Sequence, residues 1–67
     1  MAKVLVNGLE ENCNDGATIL SLLEERGINP NTVVVERNRT IVKAEAFGAI
    51  SLEQGDELEI LQFVGGG

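Results

Sequence analysis

Histidine, tryptophan and tyrosine are absent from the sequence, and cysteine, proline and methionine each occur once. A Ser-His-Asp triad is therefore excluded, as is any zinc site built from histidine or from several cysteines. The single cysteine, Cys13, cannot form an internal disulfide, which is consistent with a reducing compartment. A chain of 67 residues has room for one small domain and little room for an enclosed substrate cavity, so we do not expect a self-contained enzyme.

Basic residues and long apolar runs are also scarce. Five lysines and arginines stand against eleven aspartates and glutamates, which gives a net charge of −6. Such a chain repels phosphate backbones, so nucleic acid is not expected as a partner. The longest apolar runs, at residues 4–6 and 33–35, fall far short of the about 20 residues of a membrane helix, and no secretory signal is recognisable. We therefore expect a cytoplasmic protein without a membrane partner.

Apolar and β-branched segments bounded by turn residues predict five strands. The expected strands lie at residues 3–6, 9–13, 32–37, 40–42 and 57–64. Asn7-Gly8 should join the first two strands as a hairpin, because this dipeptide accepts the positive φ angles of a two-residue turn. Residues 43–50 show no clear period and are expected to form an irregular crossing with about one helical turn.

One helix is predicted between the second and third strands. Its large apolar residues share one helical face at the i, i+3, i+4 spacing: Ile19, Leu22 and Leu23. Thr18 is placed to cap this helix, and Gly27 is placed to end it. One helix packed on a mixed sheet of four to five strands is an α+β fold, and with the final strand at the centre it is a β-grasp. Residues 1–64 would form this domain and residues 65–67 a flexible glycine tail.

The last three residues, Gly65, Gly66 and Gly67, directly follow a hydrophobic strand. Glycine has no side chain, so a glycine segment can enter a narrow tunnel in a partner and deliver the α-carboxylate of Gly67. A carboxylate is a weak electrophile, but a partner that holds ATP can convert it into an acyl-adenylate, which sulfur or an amine then attacks. The alternative interpretation is a cloning remnant or a linker.

Strand alternation predicts a docking surface beside this tail. Leu58 and Ile60 should face the core, so their neighbours in the last strand should face away from the helix. The residues expected on this outer face are Leu5, Glu57, Glu59, Leu61 and Phe63. If the apolar members are exposed, they form a patch edged by acidic groups that a partner can recognise together with the tail. Alternatively, the segment at residues 47–52 folds over them, or they are scattered surface apolar residues.

Three further groups have two interpretations each. Cys13 is expected to be a packing residue rather than a sulfur acceptor, because no neighbouring base lowers its pKa. Arg37 and Arg39 are expected to lie in a solvated turn rather than to bind a phosphate. A cluster of acidic side chains either steers the approach of a basic partner or maintains solubility. This cluster comprises Glu53, Asp56, Glu57 and Glu59.

Four segments occur together with this order of elements: Asn7-Gly8, Val-Glu-Arg-Asn at residues 35–38, Gln-Gly-Asp at 54–56 and Phe-Val-Gly-Gly-Gly at 63–67. With them, nearly the whole chain resembles the small sulfur-carrier proteins of thiamine biosynthesis, which are ubiquitin-like β-grasp proteins that end in Gly-Gly. The chain differs from that pattern at Arg39 and Lys43, where the family often has glycine and proline. These differences concern the shape of one turn and the following crossover, not the tail.

The resemblance implies that the chain is not an enzyme but the co-substrate of two enzymes. An ATP-dependent adenylating enzyme of the E1-like type would activate the carboxylate of Gly67, and a sulfur donor system would convert it into a thiocarboxylate. Thiazole synthase would then receive the sulfur, while Gly65 and Gly66 occupy the tunnel of the partner. The chain itself would bind no cofactor or metal, since ATP and a metal ion belong to the activating partner.

A terminal Gly-Gly is shared by several protein classes. The small subunit of molybdopterin synthase and other sulfur-carrier pathways use the same terminal group, so they stay open as alternatives. A non-catalytic β-grasp interaction module and a ubiquitin-like modifier are further alternatives.

Overall fold

The computed structural model describes residues 1–63. Five strands and one α-helix are present in this part of the chain, with short 3₁₀ turns at Pro30–Thr32 and Ala44–Ala46. In chain order the elements are β1 (Ala2–Val6), β2 (Leu9–Cys13), α1 (Ile19–Glu25), β3 (Val33–Arg37), β4 (Thr40–Val42) and β5 (Glu57–Gln62). The expected strands, the helix and the irregular crossing are all found, with boundaries that differ by one or two residues. Residues 64–67 lie outside the described part, as does the domain boundary expected at residue 64.

The five strands form one mixed sheet in the order β2-β1-β5-β3-β4. The last strand, β5, lies at the centre, where it pairs in parallel with β1 and antiparallel with β3. The two outer strands, β2 and β4, each pair antiparallel with the neighbour to which a tight turn connects them. This order, with one helix on one face of the sheet, confirms the predicted ubiquitin-like β-grasp fold.

The hydrophobic core fills the space between α1 and the facing side of the sheet. Its most deeply buried side chains come from the helix, from β1 and β3, and from the crossing segment: Phe47, Ile19, Leu23, Val4 and Val35. Phe47 and Leu52 both belong to this core, and the N–H of Leu52 donates to the carbonyl of Ala17 at 2.8 Å. The crossing segment therefore packs beside the helix. The alternative that it folds over the outer face of the sheet is wrong.

Local side-chain and backbone bonds define both ends of α1. The hydroxyl of Thr18 accepts from the N–H of Ser21 at 3.1 Å, and the N–H of Thr18 donates to the Ser21 hydroxyl at 2.9 Å, which is a capping box. At the other end Gly27 has a φ of 69°, and the N–H of Ile28 donates to the carbonyl of Leu23 at 2.9 Å. This pattern is a Schellman motif, so the predicted start and end of the helix are confirmed.

Two tight turns connect the paired strands at the sheet edges. In the first, Asn7 and Gly8 have φ angles of 50° and 84°, and in the second, Asn38 and Arg39 have φ angles of 52° and 72°. Positive φ at both central residues is the conformation that matches the twist of a hairpin, so the turn expected at Asn7-Gly8 is confirmed. Arg39 occupies the position where glycine is favoured, because a Cβ atom is strained in the left-handed region.

Candidate functional site

The face of the sheet opposite α1 carries the residues expected to dock a partner. Strand register fixes their relative positions on this open face. Leu5 of β1 lies across from Glu57 at the start of β5, whereas Leu61 lies near the end of β5, across from Val34 of β3. Phe63 follows β5 directly, and its N–H donates to the carbonyl of Thr32 at 2.9 Å.

The three apolar residues of the expected patch differ in exposure and position. Leu61 and Phe63 are 55% and 65% exposed, whereas Leu5 is half-buried. Glu57, the partner of Leu5 in the register, is four residues from Leu61, which corresponds to about 13 Å along a strand. Leu5 is therefore separated from the other two residues. The exposed apolar group at the end of β5 consists of Leu61 and Phe63 with the half-buried Val34, and we call it the terminal apolar patch.

Carboxylates occupy the middle of the open face. Glu57 and Glu59 are exposed, and Glu59 lies directly across from Glu36 of β3. Like charges in opposing positions of a sheet repel each other, so this arrangement does not stabilise the free protein. A shallow depression between these carboxylates also contains Arg39, which offsets part of the negative charge. Together, the carboxylates of Glu36, Glu57 and Glu59 form an acidic band adjacent to the terminal apolar patch. This band is suited to a basic surface on a partner.

The turn residue Asn7 contacts β5 next to the terminal apolar patch. Its side-chain Oδ1 accepts from the N–H of Ile60 at 2.8 Å, and its Nδ2 donates to the carbonyl of Ile60 at 3.2 Å. From the sequence, Asn7 is expected only to form the turn. Asparagine, aspartate and glycine all suit this turn, and the partner residue is 53 positions away, so no local signal indicates the contact.

The start of β5 is held by an ionic cluster around the buried carboxylate of Asp56, which the sequence did not predict. The carboxylate of Asp56, only 5% exposed, accepts from the backbone N–H of Glu53 at 2.8 Å, from Arg37 Nε at 3.0 Å and from Asn38 Nδ2 at 3.1 Å. Arg37 also contacts the Glu53 carboxylate at 3.1 Å. Burial alone would raise the pKa of Asp56, but the hydrogen bonds from Glu53, Asn38 and Arg37 together hold it below its usual value.

Two of the sequence interpretations are corrected by this cluster. Arg37 does not lie free in a solvated turn, because its guanidinium is half-buried and pairs with Asp56. Asp56 does not belong to an exposed acidic surface, because its carboxylate faces inward and is fully bonded. Of the acidic residues considered, Glu53, Glu57 and Glu59 are the exposed ones.

Cys13 is buried at 6% exposure in the hydrophobic core. Burial is the main cause that raises the pKa of its thiol, and the nearby carboxylates of Glu11 and Glu25 act in the same direction. A raised pKa disfavours the reactive thiolate. The interpretation of Cys13 as a packing residue is confirmed.

The expected tail residues Gly65, Gly66 and Gly67 lie outside the described residues, so their roles stay predictions. Within residues 1–63, no group of three or more acidic or thiol side chains is arranged to hold a metal ion. The only α-helix in that range is too short to cross a membrane.

The sheet order, the single helix and the open face with its apolar end define a small ubiquitin-like β-grasp protein. A model of the ThiS family matches residues 4–67, which is nearly the whole chain and includes the three terminal glycines. The chain belongs to the ThiS family. The resemblance seen in the sequence is therefore confirmed at the level of the family.

Relatives of known structure or name agree with this assignment. A crystal structure of a thiamine biosynthesis protein (ThiS) from Geobacter metallireducens superposes with a TM-score of 0.76 at 35% identity, and covers 97% of this chain and 99% of that one. The sulfur carrier protein ThiS of Bacillus subtilis is 40% identical over 53 residues, which are 79% of this chain and 80% of that protein. A thiazole synthase from Paramagnetospirillum magneticum is 40% identical over 97% of this chain, but the chain spans only 20% of its length.

Proposed function

We propose that the protein is a sulfur carrier for thiamine biosynthesis and that its terminal carboxylate, on Gly67, carries the sulfur. The family match is the observation that supports this proposal most directly, because it extends through Gly67. The relative from Bacillus subtilis that bears the name sulfur carrier protein is similar over most of both chains. Gly65 and Gly66 supply the narrow backbone that enters the active site of a partner.

The proposed chemistry takes place entirely on the terminal carboxylate. An E1-like adenylating enzyme joins a carboxylate oxygen of Gly67 to the α-phosphorus of ATP, and pyrophosphate leaves. Hydrosulfide supplied by a sulfur donor system then attacks the carbonyl carbon, the bond from that carbon to the AMP oxygen breaks, and the products are a thiocarboxylate, AMP and a proton. ATP and the metal ion that accompanies its phosphates belong to the activating enzyme, so the carrier is not itself an enzyme.

The open face supports a docking role beside this tail. The terminal apolar patch is exposed at the end of β5, and the carboxylates of Glu57 and Glu59 lie on the same face. An apolar contact next to a charged band gives a partner both affinity and orientation. We assign Leu61 and Phe63 the contact role and Glu57 and Glu59 the steering role, with Leu5 at the far margin of the surface.

Thiazole synthase is the proposed recipient of the sulfur. A protein of that name contains a segment similar to 97% of this chain within its much greater length. A second thiazole synthase, from Magnetococcus marinus, matches in the same way at 38% identity. A carrier-like segment within such proteins supports a functional link between the carrier and the synthase.

The mass of the intact protein tests the carrier proposal. After incubation with the adenylating enzyme, MgATP and a sulfur donor, we expect the mass increase that corresponds to exchange of one oxygen for one sulfur. Deletion of Gly67 should abolish this increase while it leaves the thermal unfolding midpoint unchanged, because every core residue precedes Leu61.

Four outcomes would contradict the proposal. Sulfur transfer by the truncated chain would exclude the terminal carboxylate as the carrier. No mass change with any adenylating enzyme would favour a non-catalytic interaction module, and transfer only to molybdopterin synthase would favour that pathway. A mature polypeptide that continues beyond Gly67 in cells and is never trimmed would also overturn it.

A further inference from the structure

The pairing between β1 and β5 ends before β5 does. Alternate residues of the β5 segment direct their peptide groups toward β1: the carbonyls of Asp56 and Leu58 accept from the N–H groups of Leu5 and Asn7, each at 2.9 Å. Ile60 is the next residue in this alternation. If β1 continued, its backbone would bond both the N–H and the carbonyl of Ile60.

The chain turns at the residue where that backbone would be needed. β1 ends at Val6, and Asn7 has a φ of 50° that directs its own backbone into the turn. The carboxamide of Asn7 instead bonds the Ile60 peptide groups, at 2.8 Å to the N–H and 3.2 Å to the carbonyl. A primary amide has both an acceptor and a donor, so it supplies the two bonds that the backbone of a continued β1 would make to Ile60.

This contact holds the last part of β5 from the side of β1. On the side of β3, the N–H of Phe63 donates to the carbonyl of Thr32 at 2.9 Å. Leu61, one of the two exposed members of the terminal apolar patch, lies between these two attachments. Without the Asn7 carboxamide, only the β3 side would hold this segment, and its backbone would be freer to bend away from the sheet.

We propose that Asn7 is a positioning residue for partner docking: its carboxamide fixes the end of β5 so that Leu61 and Phe63 are presented in one orientation at the root of the tail. This inference rests on the proposed carrier function for its biological meaning. The holding of β5 by Asn7 can be measured on the free protein without any partner.

Three variants separate positioning from turn formation and from general stability. Asn7→Gly keeps a residue that suits positive φ but removes the carboxamide. Asn7→Asp keeps an acceptor for the N–H of Ile60 but loses the donor and places a carboxylate against the Ile60 carbonyl. Thr18→Ala removes the helix cap on the opposite face of the sheet, so it lowers stability without a change at β5.

The first measurement is amide hydrogen exchange and ¹⁵N relaxation by NMR on the free protein. In Asn7→Gly we expect the exchange of the Ile60 amide to become about tenfold faster and the amides of Leu61 and Phe63 to become more mobile. Asn7→Asp should fall between wild type and Asn7→Gly, and Thr18→Ala should leave these three amides unchanged. Unchanged mobility of Leu61 and Phe63 in Asn7→Gly would overturn the proposal.

The second measurement is steady-state adenylation by the activating enzyme, well below the melting temperature of every variant. We expect the KM for Asn7→Gly to rise about fivefold or more at unchanged kcat, with Asn7→Asp intermediate and Thr18→Ala within about twofold of wild type. An equal rise in KM for Thr18→Ala would overturn the proposal. If the wild-type chain is not adenylated at all, the proposed function fails, and the NMR result still decides whether Asn7 fixes the end of β5.

Discussion

The two hairpin turns of the sheet have the same local structure and hold β5 at different points. Asn7 and Asn38 have φ angles of 50° and 52°, and each directs its carboxamide to β5. Asn38 accepts from the N–H of Glu57 at 3.0 Å, where β5 begins, whereas Asn7 bonds Ile60 near its end. The position of the turn relative to β5, rather than the type of turn, decides what the asparagine does.

The surroundings of the two contacts differ in charge and burial. At the Asn38 end, the side-chain amide also donates to the buried carboxylate of Asp56, which Arg37 neutralises. At the Asn7 end, the contact is a neutral amide with a neutral peptide, and exposed Leu61 is the next residue. We therefore expect the first end of β5 to contribute mainly to stability and the second end, in the proposed role of Asn7, mainly to presentation of the docking surface.

Removal of the buried carboxylate should have the largest effect on stability. Asp56→Ala leaves Arg37, Asn38 and the N–H of Glu53 without their common acceptor, and we expect a loss of about 3 kcal/mol in the free energy of unfolding, measured by urea denaturation. Glu53→Ala is the matched control, because its carboxylate is exposed, and should cost less than about 1 kcal/mol.

The comparison of the two ends also predicts an effect on docking. At a temperature where Asp56→Ala is still folded, its KM with the activating enzyme should match that of wild type. A KM that rises as much as for Asn7→Gly would show that the two ends of β5 do not differ as described.

Acid should selectively reduce the stability that the Asp56 cluster contributes at the start of β5. The reduction should be smaller than that caused by loss of the Asp56 side chain. The pKa of Asp56 is lowered in the folded protein, so the ionised carboxylate stabilises the fold at any pH above its unfolded pKa of about 4. This stabilisation is lost as the pH falls through the folded pKa. Urea midpoints measured across this range should fall more steeply for wild type than for Asp56→Asn, and parallel curves would contradict the assignment.

Substitutions at the second residue of each turn, Gly8 and Arg39, should have the smallest effect on stability, and the two effects should have opposite signs. Arg39 has a φ of 72°, so Arg39→Gly relieves left-handed strain and should stabilise the protein by about 0.5 to 1 kcal/mol. Gly8→Ala should destabilise it by about 1 kcal/mol through backbone conformation alone, because a Cβ at Gly8 meets no atom within 4 Å. Thermal unfolding checks both, and a destabilised Arg39→Gly would mean that the arginine side chain makes a stabilising contact.

Features set by neighbouring residues could be predicted from the sequence. The Asn7-Gly8 turn, the helix face with its Thr18 cap, and the strand at 33–37 follow from short-range conformational preferences and periodicity. The central position of the last strand followed from the β-grasp arrangement. Strand alternation placed Leu61 and Phe63 on the face away from the helix, but it left their exposure open.

Features that depend on how distant strands meet could not be predicted. The bond between Asp56 and Arg37 joins residues 19 positions apart, and the bond between Asn7 and Ile60 joins residues 53 positions apart. The separation of Leu5 from Leu61 depends on the parallel register of β1 and β5, which alternation alone does not determine. From the sequence alone, a charged or amide side chain near a turn is predicted to be exposed to solvent. Only the position of the opposing strand shows that it has a bonding partner.

The central position of β5 has a consequence during protein synthesis. During translation, both hairpins are synthesised before β5, the strand that joins them in the sheet. The two halves of the sheet therefore stay apart until β5 inserts between β1 and β3. Leu61 and Phe63 belong to that same late segment. An unfinished nascent chain therefore cannot present the surface that an activating enzyme would recognise. Under the proposed function, the sheet is complete before the terminal carboxylate is adenylated.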